Sequence, residues 1–102
     1  MQIEPQHLKI IEDCLKKQNL SDIGIDVYVF GSRAKSKART YSDLDLALKA
    51  KNKVIEHTVI FNLKSAFSES NLPYLVDVID LNAIKTDFYN AISDDLIPLK
   101  YS

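Results

Sequence analysis

A small two-layer α/β domain, a mixed sheet with helices packed on one face, is the fold class this sequence predicts. Two strand-length apolar runs, Ile25–Phe30 and Leu44–Ala50, flank a Gly-Ser turn and a short basic spacer. Their β-branched, aromatic and aliphatic side chains suit a pleated, half-buried surface. A third run, 75–81, follows a stretch with apolar residues at helical spacing. Strand, helix and strand in that order join parallel neighbours by a right-handed crossover.

The elements follow in order. Pro5 suits the first turn of a helix, where its missing N–H costs nothing. Leu8, Ile10, Ile11, Cys14 and Leu15 then lay an apolar stripe along a helix reaching about residue 18. Ser21-Asp22-Ile23-Gly24 is a turn. The first strand covers 25–30, a short helix about 32–37, and the second strand about 44–50. A longer helix over about 54–68 is carried by Ile55, Val59, Leu63, Ala66 and Phe67, and Asn71 and Pro73 stop it. The third strand is 75–81. Ile84, Phe88 and Ile92 mark a last helix, and 96–99 returns as an edge segment where Pro98 is tolerated. With 102 residues, 46% of them apolar, the chain reads as one domain, 1–102, with a modest core.

Charge and composition exclude several classes. A net charge of -1 argues against holding nucleic acid through its phosphates, which needs a clustered excess of Lys and Arg, so no direct nucleic-acid binding is expected. No apolar run approaches membrane-spanning length and the N-terminus lacks the apolar core of a secretion signal. No membrane association and a cytoplasmic location are therefore expected. The single cysteine, Cys14, cannot form an intrachain disulfide and falls on the core-facing helix stripe. His7 and His57 lie far apart without ligand-like pairing, so a zinc site is not expected.

The chemistry concentrates between Gly31 and Leu46. A Gly-Ser turn that ends a strand and opens a helix aims backbone N–H groups outward, where they attract a phosphate. Asp43 and Asp45 then stand at i and i+2 and project from one face of the second strand. Each half alone is ordinary, since Gly-Ser is a common turn and carboxylates are mostly solvated. Together they are not: like charges on one strand face repel, while Leu44, Leu46, Ala47 and Leu48 mark this strand as core, so a cation is expected between the acids. In the third strand Leu75, Val76, Val78 and Ile79 surround Asp77, and an unpaired buried carboxylate costs several kcal/mol. The crossover sets Asp77 beside Asp43 and Asp45 on one sheet face. Asp80, three residues on, faces the other way and reads as a strand-end turn or cap ahead of Asn82.

Gly31-Ser32, ten intervening residues, then Asp43-Leu44-Asp45 resembles the signature of the DNA polymerase β-type nucleotidyltransferase superfamily. The fuller string from Gly31 to Ala47 is most similar to the minimal nucleotidyltransferases, the MNT-domain antitoxins encoded beside HEPN-domain toxins. The resemblance covers most of the chain and implies a palm-like nucleotidyltransferase domain. One departure is Ser36, where the minimal family has a second glycine; if that position needs positive φ, Ser36 carries modest strain. A P-loop does not fit, because Ser36 and Ala38 replace its second glycine and its Ser/Thr. A haloacid-dehalogenase-like phosphatase does not fit either, since Leu46-Ala47 follows the acids and that fold needs far more chain.

What the resemblance implies is specific. Asp43, Asp45 and Asp77 are the expected catalytic residues and ligands of Mg²⁺, with two ions expected and ATP as substrate. Gly31, Ser32 and Arg33 are the expected nucleotide-binding residues. For the basic cluster Arg33, Lys35, Lys37 and Arg39 two readings stay open: a solvated loop, or Arg33 or Lys35 meeting a triphosphate. Larger members of the superfamily carry a second domain that closes the cleft, so a partner polypeptide is expected here, a helical HEPN-type toxin adenylylated on a tyrosine hydroxyl within a hetero-oligomer. The alternatives are a weak or inactive antitoxin that neutralises its partner by binding, and a subunit of a heteromeric small-molecule nucleotidyltransferase.

Overall fold

A computed structural model describes residues 1–100. Helix α1 (Pro5–Lys17) opens with Pro5 in its first turn, buries Ile11, Cys14 and Leu15, and carries Lys16 and Lys17 in its last turn, where cations suit the helix dipole. Strand β1 (Ile25–Phe30) runs directly into a single helical turn, α2 (Gly31–Ala34). Strand β2 (Leu44–Ala50) follows the loop 35–43. Helix α3 (His57–Ser68), strand β3 (Val76–Asp80), helix α4 (Thr86–Ile92), a 3₁₀ turn (Ser93–Asp95) and the two-residue strand β4 (Ile97–Pro98) complete the chain.

The sheet is mixed, in the order β3-β2-β1-β4. β1 is antiparallel to β2 and to β4, whereas β2 and β3, joined through α3, are parallel. Pro98 sits opposite Tyr28 on the β4 edge, where a missing N–H is tolerated.

Alternation along the strands builds the core. Val27, Val29, Leu44, Leu46, Leu48 and Val78 point to one face and pack against Ile11, Leu15, Leu63 and Phe67 of α1 and α3. The opposite face holds a second, smaller cluster, in which Phe30, Ala47 and Leu81 meet Ile84, Tyr89, Ile92 and Leu96. The two long helices thus share one face as expected, and α4 covers part of the other, which the apolar period of a short terminal helix does not reveal.

The start of α3 differs from the sequence reading, and the cause lies on β3. α3 starts at His57 rather than near residue 54, because the backbone N–H of Ile55 donates to the Asp80 carboxylate at 2.6 Å. Asp80 also accepts from the Asn82 N–H at 2.9 Å, and Asn82 in turn donates to the carbonyls of Ala50 and Lys53. Asp80 is buried on the helix-packed face, as its odd spacing from Asp77 requires. Asp80→Ala strands the buried Ile55 N–H and the part-buried Asn82 N–H and is expected to cost about 1–4 kcal/mol, since an orphaned buried donor costs roughly 1–3 and a partly solvated one less. Urea denaturation reads the loss, and the folded fraction should keep its activity.

Candidate active site

Three strand ends converge because of the sheet's directions. β1 is antiparallel to β2, so the end of the first meets the start of the second, with Phe30 opposite Asp45. β2 and β3 are parallel, so their starts coincide, with Asp45 opposite Asp77. Both carboxylates lie on the face away from α1 and α3, and Asp43, just before β2, is near enough for its charge to act on Asp45.

Gly31 closes the corner. Its φ of +74° lies in the left-handed region that side chains rarely adopt. A Cβ at Gly31 would overlap the Asp45 carboxylate, one of whose oxygens occupies that space. The Gly-Ser turn therefore packs its backbone directly onto the central acid, bringing a helix-opening turn and a carboxylate pair to one point.

The electrostatics follow from this crowding. Asp45 is half-buried, and its carboxyl is raised above the ordinary aspartate range, first by burial, then by the negative charges of Asp77 and Asp43. Asp77 itself is exposed. The desolvation cost inferred from its apolar sequence neighbours does not apply, because Val76 and Val78 face the helices while Asp77 faces the open side. What singles out Asp77 is register, directly beside Asp45.

A divalent metal fits this donor set. Among the described residues no three His, Cys, Asp or Glu side chains are gathered tightly enough to cage an ion by themselves. Mg²⁺ asks for less: one or two carboxylates, its own waters and substrate phosphate oxygens. Asp45 with Asp77 directly beside it supplies hard oxygen donors and an excess of negative charge at one edge of the sheet.

The basic cluster resolves unevenly. Arg33, expected at the phosphate, is a structural clamp instead. Its guanidinium is buried and donates to the carbonyl of Ser42 from Nε (3.1 Å) and Nη2 (2.7 Å), to Thr40 from Nη2 (3.2 Å) and to Gln2 from Nη1 (3.1 Å). Its central carbon also lies 3.8 Å from the centre of the Tyr74 ring. With four of its five N–H donors given to backbone carbonyls, Arg33, expected among the nucleotide-binding residues, is held here as an anchor of the loop. Lys35 is paired with Asp95 at 3.2 Å, joining the turn after α2 to the segment after α4. Ser36 does adopt a positive φ, +57°, so the strain expected of a non-glycine residue there is present.

Tyr74 and Gln2 escaped sequence reasoning. Gln2 exchanges two hydrogen bonds with the backbone of Ala38 (2.8 and 2.9 Å), and Ser42 Oγ accepts from the Arg39 N–H at 2.8 Å. Nothing in the pattern around Tyr74 marks it as a partner for Arg33. The one available signal was the arginine itself, standing between small residues directly after the Gly-Ser turn.

Comparison with known proteins agrees with this fold. Residues 9–99 match the family described as polymerase beta, nucleotidyltransferase. The chain is 40% identical over 88 residues to a protein of Haemophilus influenzae named as a probable protein adenylyltransferase, MntA, covering 86% of this chain and 74% of that protein. In fold it is similar to a toxin–antitoxin crystal structure with AMP-PNP (TM-score 0.67, 22% identity, 89% of this chain and 73% of that one). It is also similar to a complex of a tri-AMPylated Shewanella oneidensis HEPN toxin with its MNT antitoxin (TM-score 0.61, 20% identity, 93% of this chain and 73% of that one).

Proposed function

The chain belongs to the polymerase β nucleotidyltransferase family, and from that premise we propose that it transfers AMP from ATP to a hydroxyl, a tyrosine's, on a HEPN-type toxin and so acts as that toxin's antitoxin. The observation that carries the reading is the Asp45 carboxylate packed against the Gly31 turn with Asp77 at its side. The 40%-identical relative named as a protein adenylyltransferase supports the acceptor class.

In this reading Gly31 and Ser32 hold the distal phosphates through backbone N–H groups. Asp43 and Asp45 would hold the Mg²⁺ that accompanies the triphosphate and would also reach a second ion, whose site Asp77 would complete on the acceptor side. When bound, two such ions neutralise charge on the attacking and leaving oxygens of an in-line displacement. The acceptor oxygen attacks the α-phosphorus and loses its proton with the help of Asp77. The bond to the β-phosphate breaks and pyrophosphate leaves.

A protein acceptor suits the rim of this site. Tyr41, two residues before Asp43, and Leu75, two before Asp77, are both more than 70% exposed. Large apolar groups flanking an open carboxylate edge favour a macromolecular partner that excludes water from the reacting groups.

The test is co-expression with the neighbouring gene's product, purification, and intact-mass analysis after incubation with Mg²⁺ and each nucleoside triphosphate. A gain of one or more AMP residues on the partner, requiring ATP, Mg²⁺ and Asp43, is the expected result. A stable complex with no mass change under any nucleotide replaces catalysis with neutralisation by binding alone. No complex, with transfer to a small hydroxyl compound, replaces the antitoxin role itself.

A further inference from the structure

We propose that Arg33, stacked on Tyr74, is a positioning residue that ties the Gly-Ser turn to the Asp43 peptide and to the entry of β3, so that all three carboxylates keep one register. The proposal rests on the nucleotidyltransferase reading above and extends it to residues that touch neither nucleotide nor acceptor.

The contacts join four separate segments. Arg33 rides on α2 two residues after Gly31, so its backbone moves with the turn. Its Nε and Nη2 both donate to the carbonyl of Ser42. That carbonyl belongs to the peptide group whose nitrogen is Asp43's own, so the fork fixes the plane from which the Asp43 side chain departs. A third bond reaches Thr40 in the same loop, and a fourth reaches Gln2, which itself holds Ala38. On its flat side the guanidinium lies over Tyr74. The next residue, Leu75, accepts the N–H of Leu44 at 2.9 Å, and β3 with Asp77 begins immediately after.

The energetics argue that this is more than filling of space. Arg33 is 4% exposed and has no carboxylate partner among the described residues. Burying a cation is expensive, and well-packed apolar side chains often stabilise a fold at least as well. What an apolar residue cannot do is grip three carbonyls in fixed directions while stacking on a ring. Lysine cannot either, since its ammonium is a point charge on a flexible stem. The cost of burial is thus matched to geometry: the planar fork sets the relative placement of turn, loop and strand.

The experiment compares Arg33→Lys and Tyr74→Leu with wild type in the full chain, without and with the co-purified partner. Amide hydrogen exchange is followed by NMR in the metal-free protein, and binding of Mn²⁺ with AMP-PNP by the loss of the free-ion electron paramagnetic resonance signal. In Arg33→Lys, exchange at residues 40–45 should accelerate by about tenfold or more while α1 and β1 amides keep their protection, a local opening of the kind that spares the global core. Mn²⁺ affinity should weaken about tenfold, as removal of groups that orient metal ligands typically does. With the partner present and Mg²⁺ in saturating excess to offset the weaker metal affinity, kcat should fall by about tenfold with the KM for ATP changed less than about threefold, the pattern of lost orientation.

Uniform acceleration across all amides with unchanged Mn²⁺ affinity would make Arg33 a stabiliser only and overturn the proposal. Unchanged exchange at 40–45 would do the same. Tyr74→Leu keeps the donors of the fork and an apolar group in the core while removing the ring under Arg33, so a folded Tyr74→Leu with wild-type loop exchange and Mn²⁺ affinity also counts against it. Exchange and Mn²⁺ binding do not depend on catalysis. If the wild-type chain transferred no nucleotide, the functional reading would fail while these two measurements still decided the role of Arg33.

Discussion

Asp45→Asn is expected to abolish nucleotide transfer while raising the melting temperature of the metal-free protein at neutral pH. Both effects have one origin, the crowding of Asp45 by the Gly31 turn, Asp77 and Asp43. An amide of the same shape keeps the packing but cannot supply the negative charge that a divalent cation needs. Metal ions contribute several kcal/mol of transition-state charge stabilisation, and at about 1.4 kcal/mol per tenfold their loss amounts to roughly a thousandfold or more in rate. Asp43→Asn is expected to be comparably inactive.

The stability gain carries its own pH signature. Because the Asp45 carboxyl is raised in the folded protein, the native state holds that proton more tightly than the unfolded chain. Where the native state binds more protons, stability falls as pH rises. The metal-free wild type therefore loses stability from the ordinary aspartate range, about pH 3.9, up through the raised value, and stays lower above it. Asp45→Asn has no such group, so the two proteins should melt alike in acid and diverge as pH rises. Melting curves between acid and neutral pH in a chelator measure the divergence, and intact-mass assays measure transfer. Undiminished transfer, or a variant less stable than wild type at neutral pH, would remove Asp45 from the centre of the site.

The fold and the carboxylate edge were largely legible in the sequence because both rest on periodicity. Alternation of Leu44, Leu46 and Leu48 with Asp45 separates a packed face from an open one, and the odd spacing of Asp77 and Asp80 sends them to opposite faces. Asp80 reached its turn-and-cap role, with Ile55 and Asn82 N–H groups as partners. The inward course of Arg33 is not legible in the sequence, for a physical reason. A basic residue after a phosphate-binding turn has two competing fates, outward to an anion or inward to unpaired carbonyls. The choice depends on where Thr40, Ser42 and Gln2 present their oxygens. Those directions arise from loop closure across 35–43, which has no period to read. The coverage of the second face by α4 was hidden likewise, since Phe30 and Ala47 read equally well as strand residues with or without a helix above them.

Gly31→Ala should be the most damaging single-methyl change in the chain, and Gly24→Ala provides its internal standard. Both glycines have φ of +74°, so both substitutions carry the backbone cost of a left-handed L-residue, about 1–2 kcal/mol. A Cβ at Gly24 meets nothing within 4 Å, whereas at Gly31 it overlaps the Asp45 carboxylate. Overpacking of a filled site adds about 1–3 kcal/mol, so Gly31→Ala should cost about 2–5 kcal/mol in urea denaturation against 1–2 for Gly24→Ala. Relief of the overlap requires the Asp45 carboxylate to swing away from the turn. Transfer should then fall by about a hundredfold even in the folded fraction, the scale of a roughly 1 Å misplacement. The double variant Gly31→Ala/Asp45→Ala separates the terms. Removing the carboxylate opens room for the new methyl, so the stability costs should be less than additive by about 1 kcal/mol or more, while activity stays lost. Equal costs for the two glycine variants, with transfer intact in Gly31→Ala, would mean that the turn does not press on Asp45, and the packing on which the site is built would have to be redrawn.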